Sequence, residues 1–217
     1  MKAVILVLRK EWSAFLGSER GVFVVYAFLI LSWSFLPLSA GLGAGPVWWL
    51  FFSIIISGNF SNTVFVAERL SGSMEILLTC GLTREAVLFG KAAFVMLMSC
   101  TVGAACLGLA VLWLSLTGKS ATDDPQRVQA IMLYFVGTLM NIGCAAWLSV
   151  RLQSPRIIPI LSIGITALIV APYLVFVYTV GAPQWILPAI LLAAAAIFFF
   201  YALREFRGEK VVTPITL

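Results

Sequence analysis

Histidine is absent from this 217-residue sequence. That removes the commonest general base and the commonest metal and haem ligand together. Charge is scarce as well. Charged residues make up 11% of the chain, against roughly 25% in a soluble fold, too few to cover a water-facing surface. The four cysteines (Cys80, Cys100, Cys106 and Cys144) show no CxxC spacing, which leaves neither a disulfide framework nor a metal signature. The last three sit in apolar runs, where a buried free thiol is the default. No basic cluster interleaved with aromatic platforms exists, so no nucleic-acid partner is expected. The apolar run after Lys2 is shorter than a signal h-region, so no cleavable signal is expected either.

What the chain has is hydrophobicity: 62% of residues are apolar and the mean hydropathy is +1.07. The class this dictates is an all-α integral membrane protein. Gly21 to Ala67 and Ile157 to Leu203 carry no charge at all. A span needs about 20 residues, so each stretch holds two. The first breaks at Gly41-Leu42-Gly43-Ala44-Gly45-Pro46, giving spans at about Gly21–Ala40 and Pro46–Val66, with Trp48 and Trp49 at the interface. The second breaks at Gly181-Ala182-Pro183-Gln184. A third span is expected at about Ala92–Leu116. A fourth, at about Val128–Val150, follows a helix start at Asp124-Pro125. Residues 1–20 precede these six spans. Val4, Ile5, Leu8, Trp12, Phe15 and Leu16 lie there at helical spacing opposite Lys2, Arg9, Ser13 and Gly17, the pattern of an amphipathic helix lying in the lipid interface. A cytoplasmic extension packed on the bundle has the same pattern.

Orientation follows from the basic residues. With the amino terminus inside, twelve of the 14 lie inside and only Lys119 and Arg127 outside, which places both termini and the loop after the second span in the cytoplasm. That loop, Glu68 to Lys91, holds six of the 23 charged residues. Ser71-Gly72-Ser73 reads as a turn with a capping hydroxyl. Met74 to Thr79 then forms a short amphipathic helix with Glu75 in its first turn, and Gly81 terminates it. Thr83 caps a new helix that climbs into the third span. A short helix joined rigidly to two spans is a lever between a soluble partner and the bundle; the same pattern suits an interfacial helix packed under it.

The run Glu68-x-x-Ser71-Gly72-Ser73-x-Glu75-x-Leu77-Leu78, then Thr83 and Gly90-Lys91, resembles the signature of permease subunits of ABC transporters of the type-2 exporter family. Arg9-Lys10-Glu11-Trp12 resembles the opening of that family's interfacial helix. The pattern departs at Gly81, where the family usually has proline, and at Leu70, a commonly charged position. The resemblance covers essentially the whole chain and implies one permease domain: interfacial helix 1–20, six-span bundle 21–203 and cytoplasmic tail 204–217. It implies that the loop is a coupling helix docking on a cytoplasmic ATP-binding subunit through Glu68, Gly72, Ser73, Met74, Glu75, Leu77, Leu78 and Gly81. It also implies a permease dimer, homo or hetero, carrying two ATPase chains. The expected location is a bacterial cytoplasmic (inner) membrane.

Gly90-Lys91 does not complete a P-loop, because Glu85 stands at the first glycine and Ala92 at the magnesium-binding hydroxyl. ATP and magnesium are therefore expected in a partner subunit, with no cofactor and no catalytic residue in this chain. Ser53, Ser57 and Ser61 share one helix face near Asn59 and Asn62, and Asn141 lies mid-membrane in the fourth span. These line a translocation path or hydrogen-bond the helices together. Ala104 and Gly108 suit close helix packing, and Pro172 and Pro188 suit kinks. The cores of the assigned spans hold no charge, which disfavours an ion-coupled carrier and leaves two readings: an ATP-driven exporter permease, or a membrane anchor or assembly subunit of a surface machine that binds a cytoplasmic protein without transport.

Overall fold

The computed structural model describes residues 2–17, 20–35, 46–67, 81–118, 126–152, 157–180 and 185–205, and all regular structure among them is helical. The helices are α1 (Lys2–Leu16), α2 (Arg20–Ser34), α3 (Pro46–Ser61, continued by a π-helical segment, Asn62–Ala67), α4 (Arg84–Leu116), α5 (Gln126–Arg151), α6 (Ile157–Val180) and α7 (Ile186–Glu205). The hinge glycines at 41–45, the Asp124-Pro125 start, the turn at 181–184 and the tail from 206 lie outside the described residues.

Arg84–Leu116, Val128–Arg151 and Ile186–Glu205 are long and apolar enough to cross a membrane; Phe23–Ser34 and Ile160–Tyr173 are shorter apolar helices. The outward surface is apolar too, with Val24, Phe28, Ile160, Leu168 and Phe200 all exposed, as a lipid-facing surface requires. At 33 residues α4 is about 50 Å long. That exceeds the hydrocarbon thickness of about 30 Å.

Among the described residues, α2 to α7 alternate in direction. Tyr26 stacks on Phe60 and Trp33 on Phe52, so α2 and α3 are antiparallel. Lys91 meets Val64 while Trp49 shares a cleft with Leu107, so α3 and α4 are antiparallel. Leu50 and Ser53 face Gly137, and Ser57 bonds Asn141, so α3 and α5 are parallel. Ser162 bonds Asn141 while Ile158 packs on Cys144 and Leu148, turning α6 against α5. Phe198 and Phe199 crowd Gly143, and Glu205 pairs with Arg151, so α7 runs with α5. One end of the bundle therefore gathers the end of α3, the start of α4 and the ends of α5 and α7, with α1 beside them.

The core sits around α5, which packs on α3, α4, α6 and α7. Glycines make the approaches close. A Cβ at Gly137 would lie 2.6 Å from Ser53 Oγ, and one at Gly143 would lie 3.3 Å from the Ala195 carbonyl. Larger side chains there would hold the helices apart.

Four expectations change. The first helix stops at Leu16, and Arg20 already opens α2. Trp49 is buried against Phe52 and Tyr134 while Trp48 stays exposed, because the helical period turns the neighbouring residue inward. Ala104 and Gly108 face outward, and a Cβ at Gly108 meets nothing within 4 Å. The inward stripe of α4 instead runs through Val95, Met98, Val102, Cys106 and Ala110, and its close approach is at Gly103, beneath the Tyr134 ring. Pro188 falls in the first turn of α7, where the missing amide breaks no helical bond. Pro172 does lie inside α6.

Candidate functional site

The start of α4 is built by local signals. Gly81 has φ +78°, a left-handed conformation that only glycine adopts at little cost. Thr83 is extended (φ −68°, ψ 145°) and its hydroxyl accepts the Ala86 amide at 3.3 Å, with Glu85 in the first turn. This is an N-cap, with a carboxylate favoured by the helix dipole. From there α4 runs unbroken through Gly90 and Lys91. A Cβ at Gly90 would lie 2.7 Å from Val7 Cβ and 3.1 Å from the Val4 carbonyl, so the glycine lets α1 lie directly on α4.

That approach brings Glu11, one turn beyond Val7, to Lys91. Lys91 is completely buried and Glu11 is 5% exposed. The ammonium donates to Glu11 Oε1 at 3.1 Å and to the Val64 carbonyl, in the π segment of α3, at 2.8 Å. Lys10 Nζ adds a contact to the same carboxylate oxygen at 3.3 Å. Burial pushes the Lys10 ammonium below the ordinary lysine range, with Glu11 acting in the opposite direction. Phe15, one turn further along α1, meets Phe23, Phe60 and Phe94 edge-on.

Lys91 thus ties three elements: α1, the end of α3 and the start of α4. Val64 lies just before Glu68 and Lys91 shortly after Gly81, so one ammonium joins both flanks of the segment between them. Glu68, Gly72, Ser73, Met74, Glu75, Leu77 and Leu78, the expected docking residues, lie outside the described residues, as does Cys80; Gly81 is described and exposed. A buried pair of this kind is not a net source of stability, but it is expensive to break by removing one partner. Its chemistry is that of a tie between helices. At the same end of the bundle, Arg151 Nε donates to Glu205 Oε2 at 2.8 Å, with the guanidinium 4.8 Å from the Trp147 ring. Exposed pairs like this contribute little.

The expected pathway residues separate. Ser53 and Ser57 are buried and donate back to the Leu50 and Ser53 carbonyls at 2.7 and 2.6 Å. Asn141 donates to Ser57 Oγ at 2.7 Å and to the Ile54 carbonyl at 3.2 Å, and accepts from Ser162. Asn141 therefore hydrogen-bonds α3, α5 and α6 in one buried seam, and Thr166 extends the polar face of α6. Asn59 is exposed, away from this seam. Ser61 Oγ and Asn62 Oδ1 are shut off from solvent and have no hydrogen-bond partner.

Tyr134, unremarked in the sequence, donates to the Ser99 carbonyl at 2.6 Å and floors an apolar cleft of about 190 Å³ lined by Trp49, Cys100, Leu107 and Ala130. Among the described residues no group of three or more carboxylates or thiols could hold a metal ion. Glu11 and Lys91 each carry a local signal, a lone acid in an amphipathic helix and a lone lysine entering a long apolar run, but no signal in the sequence pairs them. Comparison with protein-family models, with curated proteins and with solved structures finds no match for this chain.

Proposed function

We propose that the chain is the membrane-spanning permease subunit of an ATP-driven ABC exporter, receiving force from a separate cytoplasmic ATPase and using it to move a substrate across the membrane. In this reading α2 to α7 are six spans. The bundle end that holds Lys91, Arg151 and Glu205 faces the cytoplasm with both termini, and the segment 68–80 is the coupling helix. The chain works as a dimer with two ATPase chains, in the cytoplasmic membrane of a bacterium. ATP and magnesium belong to the partner.

The observation that carries the proposal is the Lys91 tie. A segment that passes on force must be joined stiffly to the spans on both sides. Here one buried ammonium binds the helix before it, at Val64, to the helix after it, and both to α1 through Glu11. Two of the stretches that carry the family resemblance at the sequence level, Arg9-Lys10-Glu11-Trp12 and Gly90-Lys91, meet in this tie. The alternating helix directions support the reading of six spans with both termini on one side.

Co-purification from native membranes tests the proposal. The full-length chain is expected to bring down a soluble ATPase with Walker motifs. Its repeated absence under conditions that preserve the complex overturns the reading. Reconstituted vesicles containing both proteins then separate an exporter from an anchoring subunit, because only the exporter moves substrate when ATP is added.

A further inference from the structure

Three features meet at the end of α3. Its last six residues, Asn62–Ala67, are wound as a π-helix, with i→i+5 bonds where the helix before them has one residue fewer per bonded ring; such segments are rare and frequently lie at functional sites. Ser61 Oγ and Asn62 Oδ1, on the two residues where α passes to π, are buried from solvent and unpartnered. Buried polar atoms are almost always paired in native proteins, and two orphans side by side call for a physical reason. Lys91 of α4, itself completely buried, donates to the Val64 carbonyl inside the π segment.

We infer that Asn62–Ala67 is a two-state joint, held in the π form by the Lys91 bond to Val64 and rewinding as continuous α-helix when that bond is released. The π form leaves polar atoms unsatisfied, so it persists because another element holds it there. Lys91 is the group placed to do so, and Glu11 fixes Lys91 in turn. A register change of one residue turns whatever follows Ala67 by about 100° and advances it by about 1.5 Å. Motion at the Lys91 tie is thereby converted into rotation of the chain entering residue 68. The inference rests on the coupling role only for what drives the joint; the joint itself is a property of this chain alone.

The test uses spin-label distances between Ile5→Cys on α1 and Leu70→Cys, in the full-length chain in lipid nanodiscs with the four native cysteines replaced by alanine. Deleting Thr63 removes the extra residue of the π segment and supplies the reference distance of the α form. Lys91→Met is expected to move more than half of the distance distribution from the wild-type peak to that reference. Lys91→Gln, which keeps a donor for the Val64 carbonyl, is expected to stay at the wild-type peak. Adding Ser61→Ala and Asn62→Leu to Lys91→Met removes the orphaned atoms and should return most of the population to the π form. A Lys91→Met distribution that stays at the wild-type peak, or broadens without reaching the reference, overturns the inference. If Lys91→Met does not fold, the double variant Glu11→Leu/Lys91→Met, which strands no charge and still removes the Val64 bond, is read against the same reference with the same two outcomes. No arm contains an ATPase, so failure of the joint leaves the docking proposal standing, and failure to find the partner leaves the joint standing.

Discussion

Replacing Lys91 with methionine is the sharpest perturbation of this structure. Methionine fills much of the same volume without the charge, so packing of the aliphatic stem against α1 and α3 survives. What is lost is the partner of a carboxylate that is 5% exposed and a charged donor to the Val64 carbonyl at 2.8 Å. Removing one member of a buried ion pair typically costs about 3–5 kcal/mol. Lys10, 3.3 Å from the same oxygen and itself half-buried, still compensates Glu11 in part, which sets the expectation near the lower figure, about 3 kcal/mol. Glu11→Leu alone takes the carboxylate from the Lys91 ammonium, which keeps its bond to the Val64 carbonyl, and should cost about as much. The double variant removes both charges and takes from the Val64 carbonyl its ammonium donor. Its cost should fall to about 1–2 kcal/mol, well below the sum of the singles at about 6 kcal/mol, giving a coupling of about 4–5 kcal/mol, above the range of about 0.5–3 kcal/mol usual for contacting residues because both members are buried and charged. Denaturant titration in detergent micelles, followed by the fluorescence of the seven tryptophans, measures all four corners of the cycle. Single variants within about 0.5 kcal/mol of wild type, or a double variant that is merely additive, would refute the claim that this pair ties the helices.

Gly90→Val places a Cβ 2.7 Å from that of Val7, with no flexible atom to give way; α1 should lift from α4, costing about 1–3 kcal/mol and opening a cysteine placed at Val7 to thiol reagents that do not reach it otherwise. Asn141→Ala breaks the three-helix seam, and an intramembrane hydrogen-bond loss of about 0.6 to 2 kcal/mol should appear in the same titration, while Asn59→Ala, on an exposed site, should leave stability unchanged. Glu75→Arg should weaken co-purification of the ATPase without changing the amount of chain inserted in the membrane; an undiminished complex would count against docking through that segment.

Much of the helical layout was legible because its signals are local. The start of α4 needed only Thr83, Glu85 and the apolar run beyond, and the structure has the cap hydrogen bond where that spacing put it. The bounds of α3 and α6 follow from proline, charge-free length and flanking turns in the same way. Which face of a helix turns inward was much less legible. In a chain that is 62% apolar, hydrophobicity marks lipid-facing and core-facing residues alike, so Trp49 and the Ala104/Gly108 pair could not be oriented from pattern alone. The serine stripe of α3 was legible as one face, yet its partner depended on where α5 and α6 lie.

By itself, then, the sequence determined the class of the protein, its helices and the segregation of its basic residues, because hydropathy, capping and charge bias act within a few residues of one another. The tertiary structure decided what those residues do to each other. Glu11 and Lys91 stand 80 positions apart, and nothing in either neighbourhood names the other. They meet because Gly90 has no side chain to keep Val7 away, and because α3 ends in a π turn whose Val64 carbonyl lies within reach of the ammonium. A buried charge must find its partner wherever the fold brings one, and only packing sets that choice.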